Sequence, residues 1–148
     1  ARFARVRAAL LAAPRDAARV CEEIGTMRAR WRAERDRSDP ERFDLKQGIG
    51  GLVDIEFLLQ GIVLLHAAAK PALLASGSTP SLIAAAAEAG VLGGEDANAL
   101  AEAHATLLAH AITCTLDGRS RIAVRDREIE QHAGVVRSLA CASGLLDA

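Results

Sequence analysis

The sequence predicts an all-α protein, a helical bundle of about six helices that forms a single domain over residues 1–148. About half of the residues (51%) are apolar, but aromatic side chains account for only 3%, so alanine, leucine, valine and isoleucine must form the core. Such a core, with few β-branched runs, favours closely packed helices over sheets. Apolar residues also recur at helical spacing, and glycine or proline separates these segments.

The first two helices are predicted from apolar stripes on arginine-rich segments. The first stripe runs through Phe3, Val6 and Leu10, spaced i, i+3 and i+7. Pro14 suits the first position of a second helix, which we expect to run to about Arg37, before the break at residues 38–40. The apolar positions of this helix are Val20, Ile24, Met27 and Trp31.

A polar, glycine-rich loop at residues 38–51 precedes the third helix, which we expect to begin near Leu52. This helix is apolar nearly all round, and such a helix belongs in the centre of a bundle. Pro71 ends it or follows shortly after its end.

The second half of the chain is predicted to hold three more helices. Thr79 and Pro80 suit the N-cap and first position of a short alanine-rich helix, which Gly90 ends. After the glycines at 93–94 we expect a long helix, and a short extended stretch at 122–124 separates it from the last helix. The apolar faces are marked by Leu100, Ala103, Leu107, Ala111 and Cys114 in the long helix and by Ile129, Ala133, Val136 and Ala140 in the last.

Charge and ligand spacing argue against several classes of function. The net charge of −1 gives no global field that would attract nucleic acid or a membrane. Residues 1–37 carry ten arginines against five acids, which we interpret as a solvated helix surface rather than a phosphate-binding face. The three cysteines and four histidines lack metal-binding spacing. The cysteines are therefore predicted to be reduced core residues of a cytoplasmic protein.

The loop that contains Lys46, Gly48, Gly50 and Gly51 is a candidate anion site. A glycine loop that opens a helix presents backbone N–H groups beside the partial positive charge of the helix N-terminus, and Lys46 adds a cation. The Gly-x-Gly-Gly pattern fits neither the dinucleotide fingerprint nor the P-loop. Glycines that serve only a tight helix entry would explain the pattern equally well.

Two acids, Asp54 and Glu56, interrupt the apolar third helix. Asp54, near the first turn, can simply stabilise the helix dipole. Glu56 lies about 200° further around the helix, with Gln60 on its face at i+4. A carboxylate on so apolar a helix needs a cation, a metal or hydrogen-bond donors. Glu56 therefore either pairs with an arginine of the second helix or faces a polar cleft, and the residues alone leave both open.

Residues 43–60, FDLKQGIGGLVDIEFLLQ, resemble the helical-domain motif of the bacterial glutamine synthetase adenylyltransferases (glutamate–ammonia ligase adenylyltransferases). With Asp54 present, the segment is similar to the C-terminal, transferase half of such enzymes rather than to the adenylyl-removing half. The likeness extends upstream through Val6 and Met27 and downstream into the helix at 100–116. Ile49 departs from the family, which often has arginine at that position.

This resemblance implies a role for the chain within a larger enzyme. The family transfers AMP from ATP, with Mg²⁺, to a tyrosine of glutamine synthetase, and so regulates nitrogen assimilation. The nucleotidyltransferase core of the family carries a Gly-Ser followed at a distance by Asp-x-Asp, whereas Gly77-Ser78 here has no Asp-x-Asp downstream. We therefore expect a C-terminal fragment that is inactive alone and binds no cofactor tightly. The implied partners are glutamine synthetase, a nitrogen-signalling regulatory protein and the preceding nucleotidyltransferase domain, but not nucleic acid or membranes.

The resemblance also implies roles for particular residues. Asp54 and Glu56 are candidate catalytic residues near the metals, the nucleotide or the incoming hydroxyl, and no metal ligand is assigned. The candidates for contact with the nucleotide phosphates are Lys46, Gly48, Gly50 and Gly51. The alternative is a non-catalytic docking module for glutamine synthetase or a nitrogen-signalling protein, in which both acids are structural.

Overall fold

The computed structural model describes residues 2–75 and 77–145, and it confirms the predicted helical bundle. Six α-helices, one 3₁₀ turn and two short strands occur in these residues. The helices are α1 Arg2–Leu11, α2 Ala17–Arg35, α3 Leu52–His66, α4 Thr79–Glu88, α5 Gly94–Leu116 and α6 Arg127–Ala142. The 3₁₀ turn is Pro71–Leu74, and the strands are β1 Arg42–Asp44 and β2 Ile122–Val124.

Helix α3 lies at the centre of the bundle, as its apolar sequence predicts. Ten of its 15 residues are buried, and it packs against α2, α4, α5 and α6. Helices α5 and α6 form the most extensive helix pair beside it, through the apolar faces predicted for both. Because α3 is enclosed by helices, any polar group on it must meet a partner or reach a gap between its neighbours.

Two helix starts differ from the prediction because side-chain caps decide them. Helix α2 begins at Ala17 rather than at Pro14, since the Asp16 carboxylate accepts a hydrogen bond from the N–H of Arg19 at 2.9 Å. Helix α4 is capped by Ser78 in a capping box, so that Thr79 is its first residue rather than its N-cap.

The loop before α3 contains a strand that was not predicted from the sequence. Strand β1 pairs antiparallel with β2, and Phe43 lies opposite Ala123 in the register. The extended stretch at 122–124 is therefore confirmed, whereas its partner strand lies in the segment predicted to be a loop. The pairing joins the loop at 38–51 to the connection between α5 and α6. These two segments are distant from each other in the sequence.

Helix α1 lies at the edge of the described structure and buries none of its residues. Its apolar stripe faces outward, with Phe3 81%, Val6 51% and Leu10 63% exposed. A hydrogen bond from Arg7 Nη1 to the Leu74 carbonyl, 2.9 Å long, attaches α1 to the 3₁₀ turn. None of the helices in residues 2–75 and 77–145 combines the length and hydropathy that a membrane span requires.

The cysteine prediction holds in part. Cys114 is buried, Cys21 is partly buried, and Cys141 is exposed rather than part of the core. All three are free thiols.

Candidate functional site

Asp54 is buried in an ion-pair network that joins three segments of the chain. Its Oδ1 accepts a hydrogen bond from Arg28 Nε at 2.5 Å, and its Oδ2 lies 3.3 Å from Arg32 Nη2. The N–H of Gly50 also donates to Oδ2, at 2.7 Å. The side chains of Arg28 and Asp54 are 1% and 4% exposed. Asp54 therefore fastens α2 and the glycine loop to α3.

Arg28 extends this network to the loop itself. Its Nη2 donates to the backbone carbonyl of Gln47 at 2.6 Å, and its Nη1 lies 3.5 Å from Gln47 Oε1. Arg32 is less well satisfied, because its Nε is a buried nitrogen without a hydrogen-bond partner in the described part of the chain. Two guanidinium groups thus share one carboxylate, and one positive charge remains in excess. Two arginines of α2, the helix from which we expected a possible partner for Glu56, therefore pair with Asp54 instead.

Glu56 lies on another side of α3 and is exposed. The described residues form no ion pair with it. With Gln60, Ser78 and Thr79 it lines a groove of about 180 Å³ between α3 and the start of α4. Burial lowers the pKa of the half-buried His104 on α5, and the negative charge of Glu56 opposes that shift. Glu56 therefore acts electrostatically on His104 of α5, whereas Asp54 faces the arginines of α2.

The glycines of the loop are fixed by their packing. The N–H of Gly48 donates to the Asp44 carbonyl, and the N–H of Gly51 donates to the Gly48 carbonyl, each at 2.8 Å. A Cβ on Gly48 would lie 2.7 Å from the Asp44 carbonyl oxygen. Gly50 has a φ of +86°, and a Cβ there would lie 2.2 Å from the Ala133 carbonyl oxygen on α6. A close approach of the backbone at each position thus accounts for these glycines.

The side chain of Lys46 lines a cleft of about 550 Å³ on the surface of the loop. We call it the basic cleft, after the five cationic residues that line it: Arg35, Arg37, Lys46, Arg119 and Arg121. The structure does not bring Lys46, Asp54 and Glu56 into one pocket. Lys46 lies in the basic cleft, Asp54 lies in the buried network, and Glu56 lies in the α3–α4 groove.

Arg28 was not among the predicted site residues, although the sequence carries a signal for it. Val20, Ile24 and Arg28 are spaced by four, and the structure buries all three. Met27 and Trp31, which we had placed on the apolar face, are instead 47% and 36% exposed. An arginine that continues a buried stripe needs a buried acid, and Asp54 is that acid. No group of three or more His, Cys, Asp or Glu side chains in residues 2–75 and 77–145 is arranged to hold a metal ion.

Comparison with known proteins agrees with the motif at residues 43–60. The family described as GlnD PII-uridylyltransferase matches residues 25–119. The bifunctional glutamine synthetase adenylyltransferase/adenylyl-removing enzyme of Xanthomonas axonopodis pv. citri (strain 306) is 48% identical over 97% of the chain. The enzymes of the same name from Stenotrophomonas maltophilia (strain K279a) and Burkholderia mallei (strain ATCC 23344) are 47% identical over 97% and 34% identical over 94%.

The chain spans only 15% of the length of each of these relatives. The resemblance first seen in the loop and the start of α3 is therefore confirmed over almost the whole of the sequence. The chain belongs to the GlnD PII-uridylyltransferase family, as a helical segment that corresponds to part of the bifunctional glutamine synthetase adenylyltransferase/adenylyl-removing enzymes.

Proposed function

We propose that this chain is the helical domain beside the nucleotidyltransferase core in the transferase half of a glutamine synthetase adenylyltransferase. The whole enzyme would transfer AMP from ATP to a tyrosine of glutamine synthetase. The observation that carries the proposal is the match of 97% of the chain, at 48% identity, to an enzyme with that name. The Asp54 version of the motif supports the transferase half.

The geometry supports a role beside the nucleotide rather than a complete active site. Nucleotidyl transfer requires neutralisation of the phosphate charge, and it requires a metal and a deprotonated hydroxyl in line with the phosphorus. Lys46 and its cationic neighbours supply fixed positive charge for the phosphates. In this proposal the nucleotidyltransferase core holds Mg²⁺ and most of the ATP.

The candidate residues take different parts in this scheme. Lys46 contacts phosphate, and the exposed carboxylate of Glu56 faces the domain that covers the α3–α4 groove. Asp54 acts as a positioning residue, because it holds the loop through Gly50 and Arg28. The N–H groups of the three glycines are bonded inside the protein, so the loop offers phosphate its lysine rather than those amides.

The test is Lys46→Ala in the intact enzyme, with transfer of labelled AMP to glutamine synthetase as the readout. We expect kcat/KM for ATP to fall about tenfold or more, because hydrogen bonds to charged groups contribute about 1.5–3 kcal/mol. Lys70→Ala is the matched control, since Lys70 is the other lysine of the chain and is exposed. Equal kinetics for the two variants would remove Lys46 from the phosphate site.

The exposed stripe on α1 favours a second candidate function, in which the chain is a docking module. Three adjacent apolar side chains in water mark an interaction surface. The occupant would be glutamine synthetase, a nitrogen-signalling protein or the neighbouring domain. Replacing Phe3, Val6 and Leu10 with serine should then weaken association with glutamine synthetase while turnover at saturating glutamine synthetase persists. Loss of turnover at saturating glutamine synthetase would instead indicate that the stripe on α1 docks against the neighbouring domain.

A further inference from the structure

The basic cleft brings together three segments that are distant in the sequence. The C-terminal end of α2 and the residues after it supply Arg35 and Arg37, and the glycine loop supplies Lys46. The turn between α5 and β2 supplies Arg119 and Arg121. Such a concentration of like charge is unfavourable unless acids within the protein or an anion outside it compensate.

The two acids that line the cleft, Glu34 and Asp44, offset its positive charge only in part. Asp44 is 7% exposed, and its Oδ1 accepts the N–H groups of Lys46 at 3.0 Å and Gln47 at 2.9 Å. Its Oδ2 accepts the N–H of Arg37 at 3.3 Å. Glu34 pairs with Arg30, outside the cleft, at 3.3 Å. Both carboxylates are therefore engaged with groups other than the cationic side chains that line the cleft.

Four of the five cations lack an acidic partner. Arg119 is paired with Asp117 at 2.7 Å, and this contact raises its pKa further. Arg35 stacks over the Trp31 ring, with its guanidinium carbon 5.0 Å from the ring centroid. The described residues form no ion pair with the side chains of Arg35, Arg37, Lys46 or Arg121. The residues that line the cleft carry five positive and two negative charges, a net charge of +3, and four of the five cationic side chains form no ion pair within the described residues.

The backbone fixes the two sides of the cleft relative to each other. The N–H of Leu45 donates to the Arg121 carbonyl at 3.0 Å, which places Arg121 beside the residue that precedes Lys46. Strand pairing between β1 and β2 continues this contact. The volume of about 550 Å³ lies within the usual range of small-molecule sites.

We propose that the basic cleft binds the phosphate chain of a nucleotide, with Arg37, Lys46 and Arg121 as its cationic ligands. Arginine is suited to this, because its planar fork of N–H donors matches phosphate oxygens. The preference for a polyphosphate anion rests on the cleft alone. The identity of that anion as a nucleotide rests on the function proposed above.

The test measures binding of inorganic tripolyphosphate, ATP and adenosine to the 148-residue chain by isothermal titration calorimetry. We expect tripolyphosphate and ATP to bind and adenosine not to bind. Arg121→Glu should weaken both phosphate ligands at least about tenfold, the effect of losing one charge-assisted contact and introducing repulsion. Arg5→Glu is the matched control, since Arg5 is an exposed arginine of α1 outside the cleft.

Several results would overturn the proposal. The first is the absence of tripolyphosphate binding to a chain that has a helical circular dichroism spectrum. The second is an equal loss of phosphate affinity in Arg121→Glu and Arg5→Glu. The third is tighter binding of a single-stranded oligonucleotide of the same charge than of tripolyphosphate. Arg121→Gln provides a milder second variant, should Arg121→Glu disturb the fold. Because tripolyphosphate binding needs no transferase activity, its outcome is separate from that of the AMP-transfer assay.

Discussion

Replacing Asp54 with asparagine should destabilise the protein severely. The substitution keeps the shape of the side chain but removes the negative charge that faces Arg28 at 2.5 Å and Arg32 at 3.3 Å. Arg28, 1% exposed, could still donate to the asparagine Oδ1 and would keep its contacts with Gln47, but its charge would lose its counter-charge. The amide nitrogen of asparagine would face the donors of Arg32 and Gly50, with which it cannot form a hydrogen bond. Removing one partner of a buried ion pair costs about 3–5 kcal/mol, because the other charge stays buried and unpaired.

This loss is large relative to the whole stability of a domain, which is about 5–15 kcal/mol. For a chain of this length each kcal/mol lowers the melting temperature by about 2–4 °C, so we expect a decrease of roughly 10 °C. The assay is urea denaturation followed by circular dichroism at 222 nm, with wild type and variant in the same buffer.

Glu56→Gln is the matched control for this prediction. It makes the same change from carboxylate to amide on the same helix, two residues away, but at an exposed side chain without an ion pair in the described structure. We expect it to change stability by no more than about 0.5 kcal/mol. If the free energy of unfolding of Asp54→Asn lies within about 1 kcal/mol of the wild-type value, the network does not hold the fold. The positioning role of Asp54 is then refuted. A double variant with apolar residues at positions 28 and 54 should recover part of the loss.

Four further predictions concern the loop, the α3–α4 groove and His104 on α5. Gly50→Ala should destabilise the chain by more than about 1 kcal/mol in the same denaturation assay, because φ at Gly50 is +86° and the new Cβ would meet the Ala133 carbonyl. An unchanged stability would contradict the close packing of the loop against α6. Glu56→Gln should lower the pKa of His104 in an NMR titration, since the charge of Glu56 raises it; an unchanged pKa would place Glu56 too far from α5 to act on it. Burial holds the pKa of His104 below the ordinary histidine value of 6.5, so its contribution to stability should be present above that pH and be lost as the pH falls through the folded pKa. The variant His104→Gln should abolish this pH dependence. In the intact enzyme, Glu56→Gln should lower AMP transfer about 10²-fold if this carboxylate faces the catalytic cleft, and unchanged transfer would limit Glu56 to its effect on His104.

The helices were predictable because their apolar residues repeat at the helical period over ten or more residues. Strand β1 spans only Arg42–Asp44, which is too short to show an alternating pattern, and its partner lies about 80 residues away. Helix starts shifted by one to three residues because a single capping side chain, such as Asp16 or Ser78, sets the boundary.

The candidate site was less accessible to sequence reasoning. The helical period separates Asp54 from Glu56 around α3, but on a helix that is apolar nearly all round it does not say which acid is enclosed. That depends on where α2 packs, and hence on Arg28. The basic cleft is formed by residues from three separate segments, and no local pattern connects Arg37 with Arg121.

The fastening of the glycine loop bears on the entropy of ligand binding. At Lys46, the N–H donates to Asp44 Oδ1 at 3.0 Å, and the carbonyl accepts from the N–H of Val53 at 3.1 Å. The residue before it is bonded at both its N–H and its carbonyl, to Arg121 and Leu52. An anion that reaches Lys46 would therefore immobilise side-chain torsions but no backbone, because folding has already ordered the loop. Pre-organisation of this kind raises affinity without any additional contact, and slow amide hydrogen exchange at residues 45–54 in the unliganded chain would be its signature.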